Sequence, residues 1–146
     1  MNRREAREQA FIFIFESTFG AESIEDIIEA AKIARNIEID EFCERIFKGV
    51  KESEKIIDEY IEKNIKQWKM DRLSRVILSV LRLAIYEMLY ENDIPLSVSV
   101  NEAVELAKKY DTKENTAYVN GVLASVLKEI SEKNLKDDSN NEGKDA

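Results

Sequence analysis

The chain has 146 residues, 44% hydrophobic and 36% charged, with a formal net charge of −8 and no histidine. That length makes one domain, or two small halves sharing a core, and the acidity excludes a protein that coats nucleic acid through bulk charge. The absence of histidine excludes Ser-His-Asp and Cys-His nucleophile systems, histidine metal ligands and the Glu-x-x-His di-iron site of some helical bundles. No glycine-rich phosphate loop is present, and the carboxylates alternate with lysines as solvated helix faces do. The expectation is a non-enzyme without metal or cofactor. The lone Cys43 fits a reducing compartment. Phe11 to Phe15 is too short an apolar run, behind too charged a start, for a signal peptide or membrane span. A cytoplasmic protein is expected. A single proline and four glycines leave long helices unbroken, and the pattern throughout is helical.

Asn2 is placed to cap the first helix, with Glu5 three residues on as its capping-box partner. Ala6, Ala10, Phe13 and Ile14 form its inner stripe, broadened by Phe11, Ile12 and Phe15. Arg3, Arg4 and Arg7 crowd its first two turns, where cations oppose the helix macrodipole. Either they bind an anion or they pair with Glu5 and Glu8. Gly20 supplies a stop. Ser23 opens a second helix, which buries Ile24, Ile27, Ile28 and Ala31 and ends near Asn36. Asp40 caps a third, long helix through Phe42, Ile46, Phe47, Val50, Ile57 and Ile61. Within it, Cys43 belongs to the core, and Gly49 marks a close helix crossing. Asn64 to Met70, with Ile65 and Trp68, is a joint.

The stretch from Arg72 to Tyr90 is the central helix. Leu73, Val76, Ile77, Val80, Leu81, Ala84, Ile85 and Met88 recur at helical spacing, and Leu78, Leu83 and Leu89 widen the stripe. So broad an apolar surface packs on several sides. Ser74 could cap a fresh start, so Met70 to Tyr90 is one helix or two with a bend. Its other face carries Arg72, Arg75, Ser79, Arg82, Tyr86 and Tyr90, read either as solvated or as a binding strip. Asn92-Asp93-Ile94-Pro95 breaks the chain. Ser99 and Glu102 are spaced as a capping box for the next helix, which buries Val100, Ala103, Val104 and Ala107 and ends near Tyr110. Asp111 to Asn115 reads as a loop. The last helix carries Val119, Val122, Leu123, Val126, Leu127 and Ile130 in register, with Tyr118 and Asn120 off the stripe and Gly121 leaving the backbone approachable. Beyond Leu135 the tail is polar and acidic, and disorder is expected over 136–146. The expected fold is all-α, with six to seven helices in two three-helix bundles, about 1–64 and 68–135, around a shared central helix.

Three features are not explained by core packing: the first-helix arginines, the Arg/Tyr strip of the central helix and the corner Tyr118-Val119-Asn120-Gly121. Arginine forks bind phosphates and exposed aromatics stack on unpaired bases, a combination that suits a short single-stranded RNA.

Five blocks of sequence resemble the NusB family of transcription antitermination factors. They are Arg3-Arg4-Glu5-Ala6-Arg7-Glu8, Trp68 to Leu73, Leu81-Arg82-Leu83-Ala84-Ile85-Tyr86-Glu87, Ile94-Pro95 with Val100 to Lys108, and Tyr118-Val119-Asn120-Gly121-Val122-Leu123. The order and spacing of the blocks are those of the family; residues 21–60 carry little of its pattern, and Glu5 interrupts the arginine run of its more basic members. The resemblance implies binding of a boxA RNA together with NusE, a small-subunit ribosomal protein, within an RNA polymerase antitermination complex. The RNA-binding positions it implies are Arg3, Arg4, Arg7, Lys113, Tyr118 and Asn120. The NusE-facing positions it implies are Phe15, Glu16, Ile77 and Glu114. A homodimer through the same exposed partner face is the other use of such a surface. Two alternatives remain: a protein-only helical adaptor, and a stand-alone relative of the NusB-like domain of ribosomal RNA cytosine methyltransferases, whose large cofactor domain this length is not expected to hold.

Overall fold

A computed structural model of the chain describes residues 1–20, 22–66 and 68–134 in full, with the last helix traced to Asp145. Seven α-helices occur among the described residues: α1 (Arg3–Ser17), α2 (Ile24–Arg35), α3 (Glu41–Glu52), α4 (Glu54–Asn64), α5 (Arg75–Tyr90), α6 (Leu96–Tyr110) and α7 (Lys113–Asp145). A single 3-10 turn, Met70–Arg72, precedes α5. The expectation of disorder over 136–146 falls outside the fully described residues. No helix is long and apolar enough to cross a membrane among the residues described.

α5 is the axis, as its all-round apolar pattern requires. It packs against α1, α3, α4, α6 and α7, and Ile77, Val80, Leu81, Leu83, Ala84, Ile85 and Met88 are buried along it. One continuous hydrophobic core runs through all seven helices. The helix starts follow local chemistry. Asn2 accepts the Glu5 backbone N–H, Ser23 that of Asp26, Asp40 that of Phe42 and Ser74 that of Ile77. Asn36 closes α2 in the left-handed region, at φ 49°.

Several boundaries differ from the sequence reading, each for a packing reason. The long third helix divides at Ser53, whose φ of −103° and ψ of 14° leave the helical region. The bend lets α3 bury Phe47 and Val50 against α1 and α5, while α4 buries Ile57 and Ile61 toward α5 and α7. The alternative left open at the start of the central helix is decided for two elements, because Ser74 caps α5 afresh after the 3-10 turn. α1 stops at Ser17, ahead of Gly20, which is not left-handed. α7 begins at Lys113, because the Thr112 hydroxyl accepts the Asn115 N–H, so only Asp111 and Thr112 remain of the expected loop. The Ser99–Glu102 capping box does not form: α6 begins at Leu96 behind Pro95, and both residues lie inside the helix.

The polar strip of the central helix is divided: Arg72, Arg75 and Tyr90 are exposed, whereas Arg82 and Tyr86 are half-buried. Ser79 is fully buried and donates to the Arg75 carbonyl. Arg82 forks onto Asp58 at 3.0 and 2.9 Å and reaches Glu54 at 3.1 Å. Arg75 donates to the Thr18 carbonyl and lies over the Phe19 ring. The close crossing at Gly49 is real, for a Cβ there would collide with the Tyr86 ring. Burial pushes the Cys43 thiol up to about 12, so at neutral pH it is a protonated core side chain.

Two substitutions test this packing. Leu81→Ala should cost about 2–5 kcal/mol, as other large-to-small core changes do. Gly49→Ala should cost about 1–3 kcal/mol through overpacking against Tyr86. Chemical denaturation of each variant checks both, and an unchanged midpoint in either would contradict the axial position of α5.

Candidate nucleic-acid interface

The three arginines of α1 have three different environments. Arg7 falls on the inner stripe, in register with Ala10, Phe11 and Ile14, and is buried at 4% exposure. Its guanidinium donates to both oxygens of Glu87 on α5, each at 2.8 Å. Glu87 is 1% exposed and also accepts the Ser99 hydroxyl at 3.4 Å. Arg7 is therefore a structural residue: its fork is used inside the protein, and the expected RNA contact is withdrawn. Pairing within the protein is the outcome for the cluster, but the partners are Glu87 and Glu102, not Glu5 and Glu8. Arg4 is 71% exposed and forks onto Glu102 of α6 at 3.0 and 2.8 Å. Glu102 lies 3.8 Å from Arg7 as well. The Arg4 hydrogen bond holds the Glu102 carboxyl below its ordinary value. The contribution of that pair is therefore complete at neutral pH and fades only as pH falls through the depressed value. Arg3 is exposed, with its guanidinium 4.0 Å above the Phe42 ring.

From Arg4 a continuous surface crosses α6 to α7. One concavity, of about 400 Å³, lies between Arg4, Glu105 and Lys108; a second, of about 740 Å³, shares Glu105 and Lys108 and extends to Lys113 and Asn120. On α7, helical spacing of about 100° per residue sets Asn120 and Lys113 at one margin of the exposed face and Glu114 and Tyr118 at the other. Ala117 and Gly121 lie between them, exposed, and Gly121 has open space where a side chain would stand. The backbone there is approachable, as its sequence implies. Of the expected RNA positions, Arg4, Lys113 and Asn120 thus line adjoining concavities, with Arg3 beyond Arg4 and Tyr118 at the far margin of α7, beside Trp68.

The charges along this surface are largely matched. Glu105 accepts from Lys108 at 3.2 Å, and Glu8 accepts from Lys109 at 2.7 Å and from the Tyr110 hydroxyl at 2.9 Å. Lys113 has no ion-pair partner among the described residues. Tyr118 is half-buried beside Trp68, with ring centroids 5.7 Å apart. Its hydroxyl oxygen is buried with no hydrogen-bond partner among the described residues, and burial raises its pKa. Among the described residues no group of acidic or thiol side chains is arranged to hold a metal.

The NusB family profile matches residues 4–128. The chain belongs to the NusB family. The transcription antitermination protein NusB of Clostridium botulinum is 42% identical over 144 residues, covering 87% of this chain and all of that protein. The structure of T. maritima NusB superposes with a TM-score of 0.78 at 36% identity, covering 88% of this chain and 92% of its own. A crystal structure of antitermination factors NusB and NusE in complex with double-stranded RNA gives a TM-score of 0.77 at 26% identity, covering 86% and 96%.

Within this NusB fold the four residues expected to face a protein partner are unequally placed. Ile77 is 2% exposed in the core, which removes its side chain from any partner surface. Its position on the widened stripe of α5 is the signal that excludes it. Phe15 is half-buried between Phe11 and Phe19, and Glu16 accepts from Arg35 at 2.8 Å. Glu114 is exposed on α7, one turn before Tyr118. Glu102 and Lys108 line the concavity beside Arg4 and Trp68 stands beside Tyr118, although none of the three was among the expected binding positions. Glu102 is hidden by its resemblance to a cap, and Trp68 by its place in a joint.

The buried pair generates a stability prediction. Arg7→Ala leaves Glu87 charged and unpaired in the core, so it should cost about 3–5 kcal/mol. Replacing Arg7 and Glu87 together with Met and Gln should recover much of that loss. A double-mutant cycle by denaturant unfolding reads both, and additive effects would show that the pair is not coupled.

Proposed function

We propose that this chain is an RNA-binding transcription antitermination factor, not an enzyme, acting in the cytoplasm. It takes boxA-type single-stranded RNA together with NusE, the small-subunit ribosomal protein, and helps RNA polymerase read through terminators in ribosomal RNA operons. The observation that carries the reading is the pair of adjoining concavities that run from Arg4 across α6 to Lys113 and Asn120, in a chain whose relatives are named antitermination proteins. Arg4 and Lys113 contact phosphates, Asn120 offers an amide to a base edge, and the bare turn at Gly121 lets the RNA approach the helix. Phe15, Glu16 and Glu114 belong to the side offered to the protein partner. The division into an amino-terminal bundle, about 1–64, and a carboxy-terminal bundle, about 68–135, puts the arginine start on one bundle and the α6–α7 surface on the other.

The formal charge of −8 repels RNA at long range, so binding by the chain alone is weak and steeply salt-dependent. A basic protein partner adds phosphate contacts and raises the affinity by linkage. Neutralising Arg4→Gln with Lys113→Gln should weaken binding to all single-stranded RNAs. It should also flatten the log–log salt slope by about 0.7 for each phosphate that the variant leaves unneutralised. Titration of boxA RNA at several salt concentrations, with and without NusE, measures this. Parental affinity and slope in the folded double variant would place the RNA elsewhere. Retention of NusE with no RNA binding at any salt would favour the protein-only adaptor.

A further inference from the structure

The most exposed aromatic beside the proposed RNA surface is not Tyr118 but Trp68. Trp68 lies in the joint between α4 and α5, 47% exposed, and it is the only tryptophan in the chain. Its ring is tilted 36° from that of Tyr118 at 5.7 Å, a spacing too tight to admit a third ring between them. Tyr118 is turned inward, with its hydroxyl buried, so it packs against an indole that keeps 47% of its surface exposed. Trp68, Lys69, Asp71 and Arg72 line an open concavity of about 630 Å³. Lys66, Lys69 and Arg72 are exposed and have no ion-pair partner among the described residues. The contrast with the α1–α6 stretch is plain, since Arg4, Lys108 and Lys109 are each matched by a carboxylate. A large exposed ring packed against Tyr118 and flanked by unmatched cations is what a single-stranded nucleic acid needs: a stacking face with phosphate anchors beside it.

We propose that Trp68 is the stacking residue for an unpaired RNA base, that Tyr118 is the positioning residue that holds its indole, and that Lys69 and Arg72 take the adjoining phosphates. The RNA path then continues past α7 onto the α4–α5 joint. This rests on the RNA-binding reading above and assigns to Tyr118 a supporting role in place of direct stacking. The Tyr118 hydroxyl has no task in it, whereas the ring does.

The lone indole makes the test direct. A short, unstructured, end-labelled single-stranded RNA is titrated into the full chain at low salt. RNA anisotropy and Trp68 emission are followed together. Saturable quenching with the same midpoint as the anisotropy change is expected, and a duplex of the same sequence should quench far less. Trp68→Ala should weaken binding about fivefold to a hundredfold with little change in salt slope, and Trp68→Phe should recover most of it. Lys69→Gln with Arg72→Gln should instead flatten the slope. Tyr118→Phe should bind as the parent does. Tyr118→Ala should lower the emission anisotropy of Trp68 in the free chain, a readout that loss of stability alone would not produce in a protein still folded by circular dichroism. RNA binding with unchanged Trp68 emission, and parental affinity in Trp68→Ala, would overturn the proposal while leaving the RNA reading intact. An emission change with NusE alone and none with RNA would make the joint a protein-docking surface and overturn it as well. Failure of the parent to bind RNA even with NusE would remove both readings.

Discussion

The buried ion pair between Arg7 and Glu87 is the contact on which the surface depends. Removing two charges from water costs several kcal/mol per ion, and only good geometry with further hydrogen bonds offsets it. Here the fork is bidentate at 2.8 Å, Ser99 contributes a hydroxyl at 3.4 Å, and Glu102 stands 3.8 Å from the second terminal nitrogen. These groups come from α1, α5 and α6, so the pair fixes the start of the chain against the central helix and its neighbour. Hydrophobic burial of Ala6, Ala10 and Ile14 holds α1 in place, but apolar contacts tolerate sliding. A bidentate pair does not. Arg3 and Arg4 consequently have a fixed relation to α6, and through it to Lys113 and Asn120.

That arrangement resolves the apparent contradiction of arginines at a helix start. One is satisfied internally, one is shared with Glu102, and one rests on the face of Phe42. Phe42 in turn has guanidinium groups of Arg3, Arg7 and Arg45 within 4.0, 5.7 and 5.3 Å of its ring centre. The ring quadrupole and the three carboxylates Glu87, Glu102 and Glu91 offset the mutual repulsion of the cations and their conflict with the helix dipole. An incoming phosphate at Arg4 therefore exchanges with Glu102; it does not fill a vacant site. Glu102 leaves its pair for water, and that exchange reduces the net gain.

Much of the fold was legible because hydrophobic spacing reports burial directly. The broad stripe of α5, the caps Asn2, Ser23 and Asp40, and the close approach at Gly49 all follow from local chemistry. Several of the misreadings share one cause. Spacing rules assign polar residues to surfaces or caps, and here several polar residues serve the interior. Ser99 and Glu102 have the interval of a capping box but lie within α6, facing Glu87 and Arg4. Arg82 and Ser79 lie off the apolar stripe yet are enclosed, because α5 is surrounded on nearly every side. Ile77 takes a partner role by resemblance although its own spacing places it in the core. For the site, the family blocks mark segments without distinguishing a buried guanidinium from an exposed one. An opposite charge embedded in each of two apolar stripes, Arg7 on α1 and Glu87 on α5, is the sequence signal for a buried pair.

The distribution of matched and unmatched charge gives the surface a direction. Around Arg4, Lys108 and Lys109 each cation has an acidic partner within 3.2 Å, so phosphate binding there is an exchange with small net energy. Around Lys113, and again at Lys66, Lys69 and Arg72, no such partner competes among the described residues, and a phosphate gains the full attraction less its own desolvation. A strand of RNA laid along this face would be anchored at the α7 and joint end and held more loosely toward α1. On the proposed RNA reading the matched end would serve selectivity more than affinity, since an RNA would gain there only where its phosphates reached the geometry that Glu102 already satisfies. The same carboxylates that hold the arginines in place would also suppress indiscriminate attraction of RNA to that end.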